Sequence, residues 1–268
     1  MLQAELNGKI PSSLINSEDL LTSSVFGTIR YFSSPAFINN IIKQAINMQG
    51  ENVDIDILPD SLQYHFWPRL ENCEPDLIIS IQDFSKKVYL ICIEAKYFSG
   101  KSSYENETLE LEERHNYHRD QLAREFEDLC RESTLGILSI KQDSMVKPLL
   151  IYLTNDSYMP TKELMESYKA IRQPNVNLTD LYWLSWKSIY NVLQRSVAKT
   201  VQDTILLNDL MDLFIRKNLA SFGGFTDLKD VVYSDWVYTS NLMEVKWGSI
   251  KKLENLSWTY RGKQYENK

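Results

Sequence analysis

The 268-residue sequence lacks the features that mark several large classes of protein. It has no apolar run near the roughly 20 residues that a membrane-spanning helix needs. Its opening, MLQAELNGKIPSS, has neither the basic start nor the apolar segment of a secretory signal. The three cysteines, Cys73, Cys92 and Cys130, are odd in number and far apart. They predict reduced thiols rather than a disulfide framework or a zinc cluster, and we expect a cytoplasmic protein with no membrane partner.

Excess positive charge is also missing, because 29 Lys and Arg residues stand against 36 Asp and Glu residues, a formal net charge of −7. A protein that coats nucleic acid by bulk electrostatics needs a concentrated basic surface. Any phosphate contact here must therefore be local or assisted by a metal ion. The signatures GxxxxGK[ST], GxGxxG and GxSxG do not occur, which removes the motif support for phosphate-loop ATPase, dinucleotide-binding and α/β-hydrolase functions.

What is present is the composition of an ordinary globular protein, 43% hydrophobic and 24% charged. Helical spacing of apolar residues predicts helices over residues 18–32, 33–49, 110–132, 161–173 and 203–219. Apolar, β-rich runs predict strands over residues 62–70, 75–83, 87–98, 146–154 and 180–186. A meander followed by strands joined through helices predicts an α/β fold, with a mixed central sheet flanked by helices on both faces.

The composition changes near the C-terminal end of the chain. Residues 1–228 are predicted to form the core domain, and residues 229–268 an appended extension rich in Trp, Tyr and Lys. From residue 243 onward there are five Lys and one Arg against three Glu. Stacking on nucleic-acid bases is one interpretation of this aromatic and basic pattern. We favour packing of the extension on the core, because aromatic residues serve protein interfaces as readily as bases.

The stretch VYLICIEAK, residues 88–96, places two charges at the end of an apolar strand. Side chains alternate between the faces of a strand, so Glu94 and Lys96 share one face. The continuous apolar run before them is typical of a central strand covered on both sides. Buried ions are costly unless they are paired or bound to metal. The stretch therefore indicates either a structural ion pair or a metal site with a catalytic lysine.

The sequence EPD at residues 74–76 favours the metal site. Asp76 opens the preceding strand, and the polar residues 83–86 are suited to a hairpin turn. In a hairpin the start of one strand lies opposite the end of the next, so Asp76 should face Glu94. Two converging carboxylates repel each other unless a cation lies between them, and their hard oxygen atoms suit Mg²⁺.

Pro75-Asp76, a short meander and then Glu94-Ala95-Lys96 resemble the motif of the PD-(D/E)xK nuclease superfamily, also called restriction-endonuclease-like. The similarity in element order extends over residues 18 to about 190. It implies a restriction-endonuclease-like core. The motif alone is moderately specific, and its weight here comes from its position on two adjacent predicted strands.

Two helical positions extend the resemblance. Many members of the superfamily carry a carboxylate on the first helix, and Glu18 is the matching residue. Some RecB-like members carry Q-x-x-x-Tyr on the helix after the lysine strand. Here Gln121 matches the glutamine, but the aromatic Phe126 is displaced by one position, which weakens the assignment of Gln121.

The resemblance implies a Mg²⁺-dependent deoxyribonuclease, with Mn²⁺ as a substitute. Asp76, Glu94, Glu18 and the Ala95 carbonyl would hold the metal, and Lys96 would orient the attacking water or stabilise charge in the transition state. If neighbouring positive charge lowers its pKa, the lysine could also act as a base. An endonuclease acting in prokaryotic defence or restriction is the expected function. The residues leave the choices between DNA and RNA, and between internal and terminal cleavage, open.

Other residues carry weaker indications. Gln121, Lys101, Arg119 and Arg124 are the expected substrate contacts, the last three through phosphate. His115 and His118, three apart, are expected to lie on a solvated helix face because no third zinc ligand is in view, and His118 is an alternative phosphate contact. A homodimer would suit a duplex cutter of this kind, which often needs two sites. The alternative function is a nuclease-like interaction subunit that docks on a partner ATPase or effector, with a site that is silent or active only in the complex.

Overall fold

The structure is a computed structural model that describes residues 2–11, 14, 16–55, 62–84, 87–98, 120–140, 146–173, 176–221, 258–260 and 263–265. The chain divides into two compact units, Met1–Ser221 and Phe222–Lys268. The described helices of the first unit are α1 (Leu2–Leu6), α2 (Glu18–Ile29), α3 (Ala36–Ile42), α4 (Gln121–Leu129), α5 (Glu132–Ile137), α6 (Thr161–Ala170), α7 (Trp186–Arg195) and α8 (Val201–Arg216). Its described strands are β1 (Ile46–Asn47), β2 (Gln63–Phe66), β3 (Leu77–Gln82), β4 (Val88–Ala95), β5 (Val146–Thr154) and β6 (Leu181–Ser185).

The six strands form one mixed sheet in the order β1-β6-β5-β4-β3-β2. β4 pairs antiparallel with β3 and parallel with β5, and β5 pairs parallel with β6. The outer strands β2 and β1 are antiparallel to β3 and β6. The predicted mixed α/β sheet is therefore confirmed, and β4, which carries Glu94, lies inside it with a partner on each side.

Each face of the sheet has its own hydrophobic core. Residues 79, 91 and 151 pack with side chains of α2, α3, α7 and α8 on one face. Residues 78, 90 and 150 pack with side chains of α4, α5 and α6 on the other. This alternation follows from the two-residue period of a strand, and it confirms helices on both faces.

Several predicted boundaries are wrong. The helix predicted over 33–49 ends at Ile42, and residues 46–47 form β1 against β6. The Asn47 side chain accepts hydrogen bonds from the amides of Gln49 and Glu51, which turns the chain and competes with helix formation. Of the residues predicted to form a strand over 62–70, only Gln63–Phe66 do so, as β2. The helix predicted over 110–132 is described from Gln121 and ends at Leu129.

Three helices, α1, α5 and α7, are absent from the sequence prediction. Cys92 is fully buried in β4, and all three cysteines are free thiols, as predicted. Among the described residues, no helix combines the length and apolar character that crossing a membrane would require. In the second unit, β7 (Trp258–Tyr260) pairs antiparallel with β8 (Lys263–Tyr265). The predicted packing of this extension on the core lies outside the described residues.

Candidate metal centre

The hairpin of β3 and β4 brings two acidic residues to one edge of the sheet. Its register pairs Leu77 with Ile93, so Asp76, one residue before, lies opposite Glu94, one residue after. Both side chains are buried, with 7% and 2% of the residue surface exposed. The predicted strand pairing is confirmed. The two carboxylates lie on the same face as the even-numbered residues that line the second core.

A third carboxylate comes from the first turn of α2. The side chain of Ser17 caps this helix by accepting a hydrogen bond from the Leu20 amide at 3.3 Å. Glu18 follows the cap, and its Oε2 accepts a hydrogen bond from the Tyr97 amide at 3.0 Å. Oxygen atoms of Glu18, Asp76 and Glu94 all lie within 4.8 Å of one another.

Lys96 directs its ammonium group into this cluster. Its Nζ lies 2.6 Å from Glu94 Oε1 and 3.0 Å from Glu18 Oε1. The lysine backbone is fixed on both sides, because its amide donates to the Leu153 carbonyl at 2.7 Å and its carbonyl accepts from Trp186 Nε1 at 3.1 Å. Helix α7, which supplies Trp186, thus holds the end of β4 in position.

Helix α4 closes the cluster from the side of the second core. Gln121 Nε2 donates to Glu94 Oε1 at 2.5 Å. Glu125, four residues later and 1% exposed, donates a hydrogen bond to the Glu94 carboxylate when it carries a proton. Burial and then the charge of Glu94 raise the pKa of Glu125 well above its usual value. The sequence prediction missed Glu125, although its spacing from Gln121 places both on one helix face.

The electrostatics of the cluster are dominated by burial. Burial and then the Glu94 charge raise the pKa of Asp76 from its usual 3.8 to about 7, against the opposing hydrogen bond from the Ala95 amide at 2.9 Å. Burial also raises the pKa of Glu94, although Lys96 opposes the rise. For Lys96, burial lowers the pKa, but the carboxylates of Glu94 and Glu18 outweigh it and the pKa lies above its ordinary value. Without a metal, the lysine therefore remains an ammonium ion, which favours its orienting and charge-stabilising roles over that of a base.

The structure places only two of the remaining predicted residues, Ala95 and Arg124. Ala95 belongs to the cluster, because its amide donates to Asp76 Oδ2. Arg124 is half-buried on α4, and its Nε is a buried atom with no hydrogen-bond partner among the described residues. Its positive charge opposes the rise that burial causes in the pKa of the Cys73 thiol. Lys101, Arg119, His115 and His118 lie outside the described residues.

The donor set fits a divalent cation. Three carboxylates and one ammonium group carry a net charge of −2 when all are ionised. Partly buried negative charge of this size is unfavourable without a counter-ion. Burial is the main cause of the raised pKa values of Asp76 and Glu94, and the neighbouring carboxylates add to both shifts. Hard oxygen donors suit Mg²⁺ or Mn²⁺ better than zinc, which more often takes nitrogen and sulfur ligands.

Comparisons with known proteins found no match: no family model, no curated protein and no solved structure matches this chain.

Proposed function

We propose that this protein is a Mg²⁺-dependent nuclease of the PD-(D/E)xK type, built on a restriction-endonuclease-like core and acting on DNA. One observation carries the proposal. Carboxylate oxygens from a helix and two adjacent strands lie within 4.8 Å of one another, and Lys96 contacts two of the three groups. The residue types are those that metal-assisted phosphodiester hydrolysis requires. Their order along the chain is the order of the family motif. A role in prokaryotic defence or restriction belongs to the same proposal.

Glu18, Asp76 and Glu94 would hold the metal, together with the Ala95 carbonyl. When bound, the ion would polarise the scissile phosphate and lower the pKa of a bound water. The chain supplies the rest of the chemistry. Gln121 and Glu125 fix the Glu94 carboxylate through hydrogen bonds, so that its oxygens are oriented before the ion arrives.

Lys96 is the candidate for stabilising negative charge on the phosphate in the transition state. Its ammonium group is protonated, buried and attached to a backbone that hydrogen bonds hold on both sides. A fixed positive charge in a poorly solvated site stabilises developing charge more strongly than one in water.

The test is cleavage of supercoiled plasmid, linear duplex DNA and single-stranded RNA in Mg²⁺ or Mn²⁺. We expect Asp76→Asn and Lys96→Met to reduce cleavage by at least about 100-fold. A matched pair on α2 provides a control, because Glu18 faces the cluster whereas its exposed neighbour Asp19 does not belong to it. Glu18→Gln should lower activity, and Asp19→Asn should leave it unchanged. Equal cleavage by the wild type and Asp76→Asn would show that the nuclease lies elsewhere or is a contaminant.

A second candidate function is a nuclease-like interaction subunit. Hydrogen bonds from Lys96, Gln121 and two backbone amides already satisfy much of the carboxylate cluster without a metal, which is the observation that favours it. Calorimetric titration with Mn²⁺ separates the two functions. The nuclease should bind Mn²⁺ and lose binding in Glu94→Gln, whereas a purely structural cluster would give no binding heat. Metal binding without cleavage by the isolated protein would point to a nuclease that needs its partner.

A further inference from the structure

Trp67 has a backbone conformation that its residue type disfavours. Three described residues other than glycine have positive φ: Trp67 at 44°, Ser139 at 57° and Asn218 at 57°. Ser139 and Asn218 each lie two residues beyond the end of a helix, where a left-handed residue commonly closes the last turn. Trp67 has no such explanation. It is bulky, and it precedes Pro68, which restricts its backbone further.

This strained residue lies beside the acidic cluster. The Trp67 amide donates to the Asp76 carbonyl at 3.1 Å, which continues the antiparallel pairing of β2 and β3 by one residue. Asp76 in turn lies opposite Glu94. Trp67, Asp76 and Glu94 therefore form a row across three neighbouring strands at one edge of the sheet. Adjacent strands are about 4.8 Å apart, so the tryptophan is one strand away from a proposed metal ligand.

The Trp67 side chain is only partly buried and belongs to neither hydrophobic core, although its neighbour Phe66 packs on the first core. A second aromatic residue, Phe98, follows Lys96 by two positions and is 64% exposed. Its ring lies 4.1 Å from that of Tyr97, whose amide binds Glu18. Aromatic surface is thus available both on the edge-strand side of the cluster and beyond the end of β4.

We propose that Trp67 and Phe98 stack on unpaired bases next to the phosphate that is cut, so that the substrate is single-stranded nucleic acid or the unpaired part of a branched or frayed duplex. This inference rests on the proposed nuclease function and specifies its substrate class. Strained backbone persists where the surrounding structure holds it, and it clusters at functional sites. Here the strained backbone lies next to Asp76, to which its amide donates, and the Trp67 ring packs against Phe66 with 5.7 Å between ring centroids.

The charge of the chain supports stacking over duplex binding. Duplex binding draws most of its affinity from phosphate neutralisation by Lys and Arg, which a chain of net charge −7 is poorly equipped to supply. Stacking of bases on aromatic rings contributes affinity that does not depend on positive charge, and it requires that the bases be unpaired.

Trp67→Gly is the informative substitution, because glycine adopts a φ of 44° without strain and the backbone hydrogen bond to Asp76 can persist. Phe98→Ala removes the second ring. Phe84→Ala is the matched control, since Phe84 is 74% exposed at the opposite end of the same hairpin. Binding of a fluorescein-labelled dT12 strand and of a blunt 12-base-pair duplex would be measured by anisotropy in EDTA, without cleavage. The same variants would be assayed with Mg²⁺ for cleavage of a single strand, a forked duplex and a blunt duplex.

We expect Trp67→Gly to bind dT12 about tenfold more weakly, Phe98→Ala to show a smaller loss, and Phe84→Ala to bind like the wild type. Thermal unfolding of Trp67→Gly should remain cooperative, with its midpoint above the assay temperature, which would exclude a folding defect. The stacking inference would be overturned if Trp67→Gly bound dT12 as tightly as the wild type. It would also be overturned if the wild type preferred to bind and cleave the blunt duplex. Either result would leave the nuclease proposal intact. Wild-type protein that binds the strand but neither binds Mn²⁺ nor cuts would instead overturn the nuclease proposal.

Discussion

At the scale of single residues, the protonation of Asp76 makes the stability of the protein depend on pH. Its pKa of about 7 exceeds the usual value of 3.8, so the folded protein holds this proton more tightly than the unfolded chain. The group therefore contributes stability that is fully present below pH about 4 and is lost as the pH rises through about 7. A divalent cation that binds the ionised carboxylate would offset this loss, and the offset should grow over the same pH range.

The corresponding prediction concerns the unfolding temperature in EDTA and in Mg²⁺ at pH 5.5 and pH 8. We expect Mg²⁺ to raise the unfolding temperature more at pH 8, because Asp76 must lose its proton to bind the ion. Asp76→Asn cannot ionise and should show less of this pH dependence. A Mg²⁺ effect that is equal at both pH values in the wild type would contradict the assignment of Asp76 as a ligand.

Lys96 is the second residue whose removal has a defined consequence. Lys96→Met keeps most of the apolar stem but leaves Glu94 and Glu18 without their cation. Removing one partner of a buried ion pair costs roughly 3–5 kcal/mol, and the partial exposure of Glu18 places our expectation near the lower end, about 3 kcal/mol. Urea unfolding in EDTA measures the loss.

Mg²⁺ should restore more stability to Lys96→Met than to the wild type, since the ion replaces the missing positive charge. Lys162→Met provides the control, because Lys162 is 88% exposed and its contact with Glu166 is 4.0 Å long. If Lys96→Met were as stable as Lys162→Met in EDTA, the buried lysine would not be compensating the carboxylates.

The residues of the cluster differ in how far the sequence could reveal them. Asp76 and Glu94 were brought together by hairpin register alone, because a short polar turn fixes which strand ends meet. Glu125 was missed, since a glutamate on a charged helix gives no local signal of burial. Its position is informative only in the structure, where Gln121, on the same helix face, donates to Glu94. The strain at Trp67 could not be predicted, because a backbone angle of this kind depends on tertiary contacts.

At the scale of elements, the start of α2 determines where Glu18 points. Ser17 accepts the Leu20 amide and fixes the first turn. We expect Ser17→Ala to lower the free energy of unfolding by about 1 kcal/mol. Because Glu18 is the next residue, the same change should also weaken Mn²⁺ binding in calorimetry.

Ser23→Ala is the matched control for the cap, because Ser23 is exposed in the middle of the same helix. Alanine favours a helix interior slightly more than serine, so this variant should be as stable as the wild type or slightly more stable. Identical effects of the two substitutions on stability and metal binding would show that the cap does not position Glu18.

The elements that sequence patterns predicted well are those with one strong period. The strand predicted over residues 146–154 has the same bounds in the structure, and the helix predicted over 203–219 is found at Val201–Arg216, because long apolar repeats leave few alternatives. The failures have physical causes. Helix α7 follows β6 with no intervening loop, so the sequence pattern places its first residue, Trp186, in the strand. β1 is two residues long and depends on pairing with β6, which no local pattern records.

At the scale of the whole first unit, an ion pair joins its beginning to its end. Lys217, just after α8, has its Nζ 2.5 Å from Oε1 of Glu5 in α1, and both residues are buried. The other oxygen of Glu5 accepts a hydrogen bond from Ser24 of α2 at 3.3 Å. The Lys217 carbonyl accepts the Tyr97 hydroxyl at 2.7 Å. The Tyr97 amide donates to Glu18. Tyr97 therefore connects the ion pair between α1 and the end of α8 to the acidic cluster.

Glu5→Gln tests this connection. The substitution keeps the shape of the side chain but leaves a buried ammonium without its counter-charge, so we expect a loss of roughly 3 kcal/mol in the free energy of unfolding. Glu166→Gln breaks an exposed pair at 4.0 Å and should cost less than about 0.5 kcal/mol. Because the Tyr97 amide is fixed by β4 and Glu18 rather than by Glu5, Mn²⁺ affinity should change little in the folded variant. If the two variants were equally stable in urea, the ends of the unit would be held by apolar packing alone. A large loss of Mn²⁺ affinity in Glu5→Gln would mean that the α1–α8 contact also sets the geometry of the acidic cluster.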